Sequence, residues 1–340
     1  MSENLESAGQ HLAEARRRGV DVEVAEALAR YANALVQAGR ISDARAALDE
    51  ATGVHAARGA ADDDARCAQL AGTLCRFQGF LDEAVERELH ALERVRSRGP
   101  IAVSAYTELG EIDMARGHGQ QAAAQFAAAV QAGGSDLHGP KRAELLRKRA
   151  KALAIAQQYG EACTELETAC GLLLEAGDRE NAARTLIEHA TALQHMRDLA
   201  AADDRINRAW QLAEPDGDHA ALAEIHLLLA TQALLRHDGD AAREAARAAR
   251  TEALAGCAPA SYIAATHTFA QLAESVGDRP GAYEAIATGW ATVAGLPHPS
   301  LAKTAFEPVL RAMRERWGAE AFDQVKRNYE DVRRKVMSGG

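Results

Sequence analysis

The chain has 340 residues, 39 of them basic and 49 acidic, and its formal net charge of -10 at pH 7 disfavours extended binding to a nucleic-acid backbone. No apolar run approaches the roughly 20 residues that span a bilayer, and the first residues lack the apolar stretch of a secretory signal. We therefore expect a cytoplasmic protein with no membrane or direct nucleic-acid contact. The five cysteines include no CxxC pair, which indicates neither a disulfide framework nor a metal site.

An internal repeat runs along most of the chain. At seven places a small residue is followed twelve positions later by an alanine, and successive pairs are 38 or 40 residues apart. The pairs are Ala32 and Ala44, Gly72 and Ala84, Gly110 and Ala122, Ala150 and Ala162, Ala190 and Ala202, Ala230 and Ala242, and Ala270 and Ala282. A regular period of this size predicts stacked supersecondary elements, each of which buries its apolar face only against its neighbours.

Each repeat has the pattern of two amphipathic helices, here called helix A and helix B. In the first repeat Ala32 and Leu35 share one face of helix A, and an apolar face begins again after Gly39. Glycine favours the left-handed residue just past a helix end, and Ser42 or Asp43 could cap the helix that follows. Because the connection is short, the two helices are predicted to pack antiparallel.

The two ends of the chain predict caps for a row of seven helix pairs over residues 20–297. Residues 1–19 have the apolar spacing of a helix B without a preceding helix A. Residues 298–340 outline a divergent final helix pair, and terminal repeats of such arrays need a more polar outer face. Since no Pro-, Gly- or Ser-rich linker divides the chain, we expect one domain over 1–340, with residues 133–140 as the best candidate for a flexible joint.

These residues resemble the tetratricopeptide repeat (TPR), in which a small residue of helix A meets an alanine of helix B and a glycine marks the turn. The turn glycines here are Gly39, Gly79, Gly117 and Gly277. The large helix-B residue of the motif is replaced by Glu88 in the second repeat and by Ala246 in the sixth, so these two repeats are degenerate. The period of about 40 exceeds the usual 34, as in long-period relatives from bacterial regulators and kinesin light chains.

The resemblance implies an all-α fold, an α-solenoid of stacked antiparallel helix pairs that form a TPR-like superhelix, with helix A lining a concave wall. On that wall the candidate partner-binding residues are Asn33, Arg66, Arg76, Arg147, Lys151 and Arg184. Helix A of the fourth repeat carries six basic residues and one glutamate, whereas its helix B is acidic. Either the two helices neutralise each other across the hairpin, or the wall receives an acidic peptide or a terminal carboxylate.

Two further ideas concern the wall. Asn33 matches one position of the carboxylate clamp of a TPR subfamily, but Ala29 stands where the accompanying lysine belongs, so recognition of a chaperone tail is not expected. An apolar patch in the fifth and sixth repeats could form a groove for an amphipathic helix, or could pack against adjacent repeats. This patch comprises Ile187, Leu227, Leu234 and Leu235.

The leading interpretation is a noncatalytic scaffold that binds a peptide or partner protein in its concave groove. The alternative is a regulatory sensor, similar to the repeat segment of large bacterial transcription activators, that binds a small effector or an inhibitor protein. No catalytic, phosphate-binding or metal motif occurs, so neither enzyme activity nor a cofactor is expected. A homodimer is also open, with a candidate surface around Trp317 and Phe322.

Overall fold

The computed structural model describes residues 4–296 and 300–338, which form seventeen α-helices and no strand. They fall into two compact units, one ending at Ala176 and the other beginning at Gly177. The N-terminal unit contains α1 (Leu5–Arg18), α2 (Asp21–Gln37), α3 (Ile41–Ala57), α4 (Ala61–Phe77), α5 (Leu81–Arg94), α6 (Gly99–Ala115), α7 (Gly119–Gly133), α8 (Gly139–Ile155) and α9 (Tyr159–Glu175). The C-terminal unit contains α10 (Arg179–His195), α11 (Leu199–Ala213), α12 (His219–Leu235), α13 (Gly239–Ala255), α14 (Pro259–Ser275), α15 (Arg279–Ala294), α16 (Ser300–Trp317) and α17 (Ala319–Ser338).

The all-α fold is thus confirmed, and helices pack in sequence order as pairs. The even-numbered helices α2 to α14 are the predicted A helices, and the odd-numbered helices α3 to α15 are the B helices. The single domain over 1–340 and the capping role of its ends remain predictions. The predicted boundary between 297 and 298, like residues 1–3, 339 and 340, lies outside the described residues.

The small residues of the repeat mark the places where helices A and B touch. Both members of every pair are buried. In the third repeat a Cβ on Gly110 would lie 2.7 Å from the ring of Phe126. Only glycine therefore allows α6 to pack against this phenylalanine, and small side chains let the helices approach closely throughout the array.

The turns between helices A and B share one backbone conformation. Gly39 and Gly79 have φ of +74° and +85°, the left-handed region that favours glycine. Gln157, Arg197 and His237 occupy the same turn position in the fourth to sixth repeats, with φ of +61°, +63° and +63°. The turn geometry is therefore set by the helix pair and persists where the glycine of the motif is missing.

Helix starts differ between the two units. In the C-terminal unit, aspartate side chains accept hydrogen bonds from the backbone N–H three residues later; they are Asp178, Asp198, Asp218, Asp238 and Asp278. Such caps satisfy a backbone donor that the helix leaves unpaired. The cap expected from Ser42 or Asp43 is wrong, because α3 already begins at Ile41 and Asp43 pairs with Arg40 at 2.6 Å.

The ends of the described chain are helical as predicted. Three residues of α1 are buried, namely Ala8, Leu12 and Ala15, and α1 packs against α2. At the other end Trp317 and Phe322 lie in the core, where Phe322 meets the Tyr283 ring edge-on at 5.5 Å. Trp317 and Phe322 are themselves buried, so any dimer contact there would involve the surface around them, and the homodimer stays a prediction.

The segment 133–140, expected as a joint, is an ordered turn. It contains a short 3-10 helix, Gly134–Asp136, followed by Leu137, whose side chain is buried beside α7 and α8. The boundary between the two compact units lies elsewhere, at Ala176 and Gly177. Over 4–296 and 300–338, no helix has both the length and the apolar character needed to cross a bilayer.

Candidate functional site

The predicted partner-binding residues of the N-terminal unit lie on its A helices. Asn33 on α2, Arg66 on α4 and Lys151 on α8 are exposed, whereas Arg76 on α4 and Arg147 on α8 are half-buried. Asn33, Arg66 and Lys151 are therefore open to solvent, whereas Arg76 and Arg147 are open only in part. The sixth candidate, Arg184, is exposed on α10 of the C-terminal unit and pairs with Glu180 at 2.8 Å.

Arg76 holds two neighbours in place. Its guanidinium forms an ion pair with Glu108 of α6. It also lies over the ring of Phe77, 4.6 Å from the ring centroid, although this phenylalanine is 70% exposed. A cation over an aromatic face is attracted by the ring quadrupole. Arg76 therefore links two A helices and fixes an exposed aromatic side chain at the end of α4.

The basic helix of the fourth repeat, α8, pairs with both of its neighbours. Arg149 contacts Glu165 of α9 at 2.6 Å, so part of the charge is neutralised across the hairpin. Lys148 contacts Glu111 of α6 at 2.9 Å, an A-to-A pair that the sequence interpretation missed. Arg147 and Lys151 also have interactions of their own. Surface pairs contribute only about 0 to 1 kcal/mol each, so an acidic ligand could compete with them.

The N-terminal unit also hides a carboxyl group in its core. Glu88 of α5 is completely buried, and neither of its oxygens has a hydrogen-bond partner among the described residues. Burial away from water raises the pKa of Glu88 to about 9. The charge of Glu108 adds to this increase, and the charge of Arg76 opposes it. At pH 7 this side chain is therefore a neutral acid.

Glycine makes room for this acid. A Cβ on Gly72 of α4 would lie 2.4 Å from Oε1 of Glu88. Other repeats place Leu48, Phe126 or Leu166 at the position of Glu88, which explains why the second repeat reads as degenerate. The signal that could have indicated a buried carboxyl group was a glutamate at a position that is apolar in other repeats.

A second buried carboxylate lies in the same repeat and is paired. Asp64 of α4 has no exposed surface, and its oxygens lie 2.9 Å from Nε2 of His90 and 2.6 Å from Nε of Arg94. Burial raises the pKa of the nearby Cys67 thiol to about 11, with a smaller contribution from the charge of Asp63. This pKa disfavours the thiolate, which is the form of cysteine that acts as a nucleophile. Within the described ranges, no three His, Cys, Asp or Glu residues group as metal ligands.

The four residues of the apolar patch expected in the C-terminal unit differ in their exposure. Ile187 is buried, Leu227 and Leu235 are half-buried, and Leu234 is exposed. The buried Gln194 of α10 donates to the Gln232 side chain of α12 at 2.9 Å. A polar contact inside the repeat stack, rather than a continuous apolar groove, therefore joins these two A helices.

A hollow of about 540 Å³ lies between α12 and α13. Its lining includes His226, Gln232, Arg236 and Glu244, with three alanines of α13. Burial lowers the pKa of His226, so its ring is neutral at pH 7, and it meets Trp210 edge-on at 5.1 Å. The hollow has the size of a small-molecule site, but its polar side chains Gln232 and Arg236 already bond to Asp203.

Comparison with known proteins defines the class of fold. The sequence matches no protein-family model and no curated protein. A tetratricopeptide repeat protein from Parabacteroides merdae matches with a TM-score of 0.58 and 15% identity, over 83% of this chain and 97% of that chain. At this identity the likeness shows the fold alone, which is that of the TPR-like all-α solenoids.

Two further solved structures agree with this fold. The apo form of RapI has a TM-score of 0.58 and 11% identity, over 93% of this chain and 99% of that chain. The C-terminal part of a TPR repeat-containing protein from Cytophaga hutchinsonii has a TM-score of 0.52 and 13% identity, over 73% and 95%. The chain is therefore similar in fold to these two structures over most of its length.

Proposed function

We propose that this chain is a noncatalytic interaction module that binds an acidic segment of another protein along the A helices of its N-terminal unit. The observation that supports this most is the concentration of charge on α8, which carries six basic residues and one acidic residue in a chain of net charge -10. Stability is a weak reason for such segregation, since surface ion pairs contribute little. The TPR-like fold presents its A helices as a row, which suits an extended ligand.

The contacts of the candidate residues suggest different roles for them. Arg147 and Lys151 lie one turn apart on α8 and would receive carboxylates, with Arg66 and Asn33 as further polar contacts. Arg76 is tied to Glu108 and would instead position Phe77 for an apolar side chain of the ligand. Arg184 belongs to the other compact unit and stays a separate candidate.

Binding of a labelled peptide of alternating glutamate and leucine tests this proposal over a series of salt concentrations. We expect the Arg147→Glu, Lys151→Glu double variant to lose at least about tenfold in affinity, because each reversal replaces an attraction by a repulsion. The slope of affinity against salt should also become shallower. The matched control is Lys303→Glu, Arg311→Glu on α16, which makes the same change in net charge at exposed positions.

Two results would contradict the proposal. One is equal loss of affinity in both double variants, which would indicate a general charge effect. The other is equal binding of a peptide in which glutamine replaces glutamate. A cytoplasmic location is part of the proposal and is supported by the spacing of the five cysteines, which include no CxxC pair.

The second candidate function is a sensor for a small effector, and the hollow between α12 and α13 favours it. Its test is a rise in melting temperature with the small-molecule fraction of a cell extract. Ala245→Phe would fill the hollow and should abolish the rise. A rise that persists in this variant would place the effector elsewhere, and the absence of any rise would leave the peptide-binding proposal as the better supported one.

A further inference from the structure

A groove opens between the last two odd-numbered helices, at the C-terminal end of the described chain. It has a volume of about 460 Å³ and lies between α15 and α17. Thr288 and Ala291 of α15 form one wall, and Val325, Tyr329 and Val332 of α17 form the other. Val332 is 62% exposed, so the apolar face of α17 continues past the residues that pack on α15.

The corresponding furrow between α3 and α5 is closed by charge. There Arg87 contacts Asp49 at 2.8 Å, and Arg45 contacts Glu83 at 3.1 Å. No ion pair among the described residues joins α15 to α17. The groove between α15 and α17 is therefore open and largely apolar, whereas ion pairs bridge the corresponding furrow between α3 and α5.

The two walls of the groove carry opposite charges. Glu284 lies on α15 and Arg333 on α17, both exposed and both lining the groove. Neither has an ion-pair partner within 4–296 and 300–338. The same surface thus offers a recess, a projecting apolar side chain and one charge of each sign, which is what a self-complementary two-fold contact requires.

We propose that this groove is a homodimer surface, occupied by the α15–α17 face of a second copy of the chain. Val332 of each copy would enter the groove of the other, and Glu284 of one copy would face Arg333 of the second. The dimensions of the two helices give the α15–α17 face a length of about 24 Å and a width of about 20 to 24 Å. It would bury about 1,000 to 1,200 Å² in total, at the lower limit for specific interfaces, so the dimer should be weak and concentration-dependent.

Sedimentation of the full chain without any peptide tests this, over about 1 to 100 µM. We expect a shift from the 36.2 kDa monomer towards twice that mass as concentration rises. Val332→Asp should weaken self-association at least about tenfold, since it places a charge in an apolar recess. Val276→Asp is the matched control, because this valine is 60% exposed in the same compact unit and lies outside the groove.

Charge exchange tests the pairing itself. Glu284→Arg and Arg333→Glu should each weaken the dimer, and the double variant should recover affinity to within about threefold of the wild type, because it restores opposite charges. Circular dichroism shows whether each variant is folded. A monomer over the whole range, equal effects of Val332→Asp and Val276→Asp, or a double variant no better than the singles would each overturn the proposal. Peptide binding by the N-terminal unit is measured separately, so the two proposals fail independently.

Discussion

Replacing Glu88 by leucine should stabilise the N-terminal unit and remove most of its sensitivity to alkaline pH. The carboxyl group is completely buried without a hydrogen bond, at a position where other repeats carry Leu48 or Leu166. Leucine fits the space because Gly72 opposite has no side chain. The substitution exchanges an unsatisfied polar group for an apolar one of similar size.

The magnitude follows from proton linkage. The pKa of Glu88 is about 9 in the fold, against an ordinary value of 4.5. Below pH 4.5 the acid is protonated in both the folded and the unfolded chain, so its ionisation does not change the free energy of unfolding. As pH rises further, the unfolded chain loses the proton while the folded chain retains it, so stability falls by about 1.4 kcal/mol per pH unit. Relative to its value at pH 4.5, the free energy of unfolding is lower by about 3 kcal/mol at pH 7 and by about 6 kcal/mol near pH 9.

Hydrogen–deuterium exchange of peptides from α4 and α5, combined with urea unfolding at pH 5, 7 and 9, measures this effect. Local exchange is needed because repeat arrays do not always unfold as one cooperative unit. Glu88→Gln should also flatten the pH dependence but stabilise less, since its amide stays buried without partners. Glu86→Leu is the control, because Glu86 is exposed on the same helix and should change stability by no more than about 0.5 kcal/mol.

One result would refute the reasoning on Glu88. If α4 and α5 of the wild type lost stability between pH 5 and 9 no faster than those of Glu88→Leu, the carboxyl group would not be held neutral in the core. The difference between the two proteins is the informative quantity, because every other ionisable group is common to both.

Two further predictions concern packing and capping. Gly110→Ala should destabilise the third repeat by about 1 to 3 kcal/mol, because its methyl group meets the ring of Phe126, and adding Phe126→Leu should recover part of that loss in urea unfolding. Asp238→Ala should cost about 1 kcal/mol by removing the cap of α13, whereas Asp240→Ala beside it should cost much less; faster amide exchange only in the first variant is the expected observation.

The helices could be predicted because their signals are local and repeated. Small residues at fixed spacing and turn glycines such as Gly39 recur through the chain, so each repeat supports the interpretation of the others. The exceptions were also informative: Arg197 and His237 adopt the glycine conformation because the hairpin around them fixes it. The position of α3 could not be read from Ser42, since several residues near a turn can cap a helix.

The candidate site was less predictable because it depends on contacts between repeats. Sequence spacing placed Arg76 and Arg147 on A helices, but it could not show that Glu108 holds Arg76. The burial of Trp317 could not be read from the sequence for the same reason, since the helices that bury it lie before and after it in the chain. Pairing across 30 or more residues is a property of the stack, which spacing within one helix does not specify.

Site-specific photocrosslinking in cells tests the proposed function most directly. A photoreactive residue replaces Glu144, which is exposed on the basic helix α8, or Thr168, which is exposed on α9 of the same repeat. If the A helices form the binding row, position 144 should crosslink to a partner protein through an acidic segment, and position 168 should not. Crosslinks at position 168 alone, or equally at both positions, would contradict it.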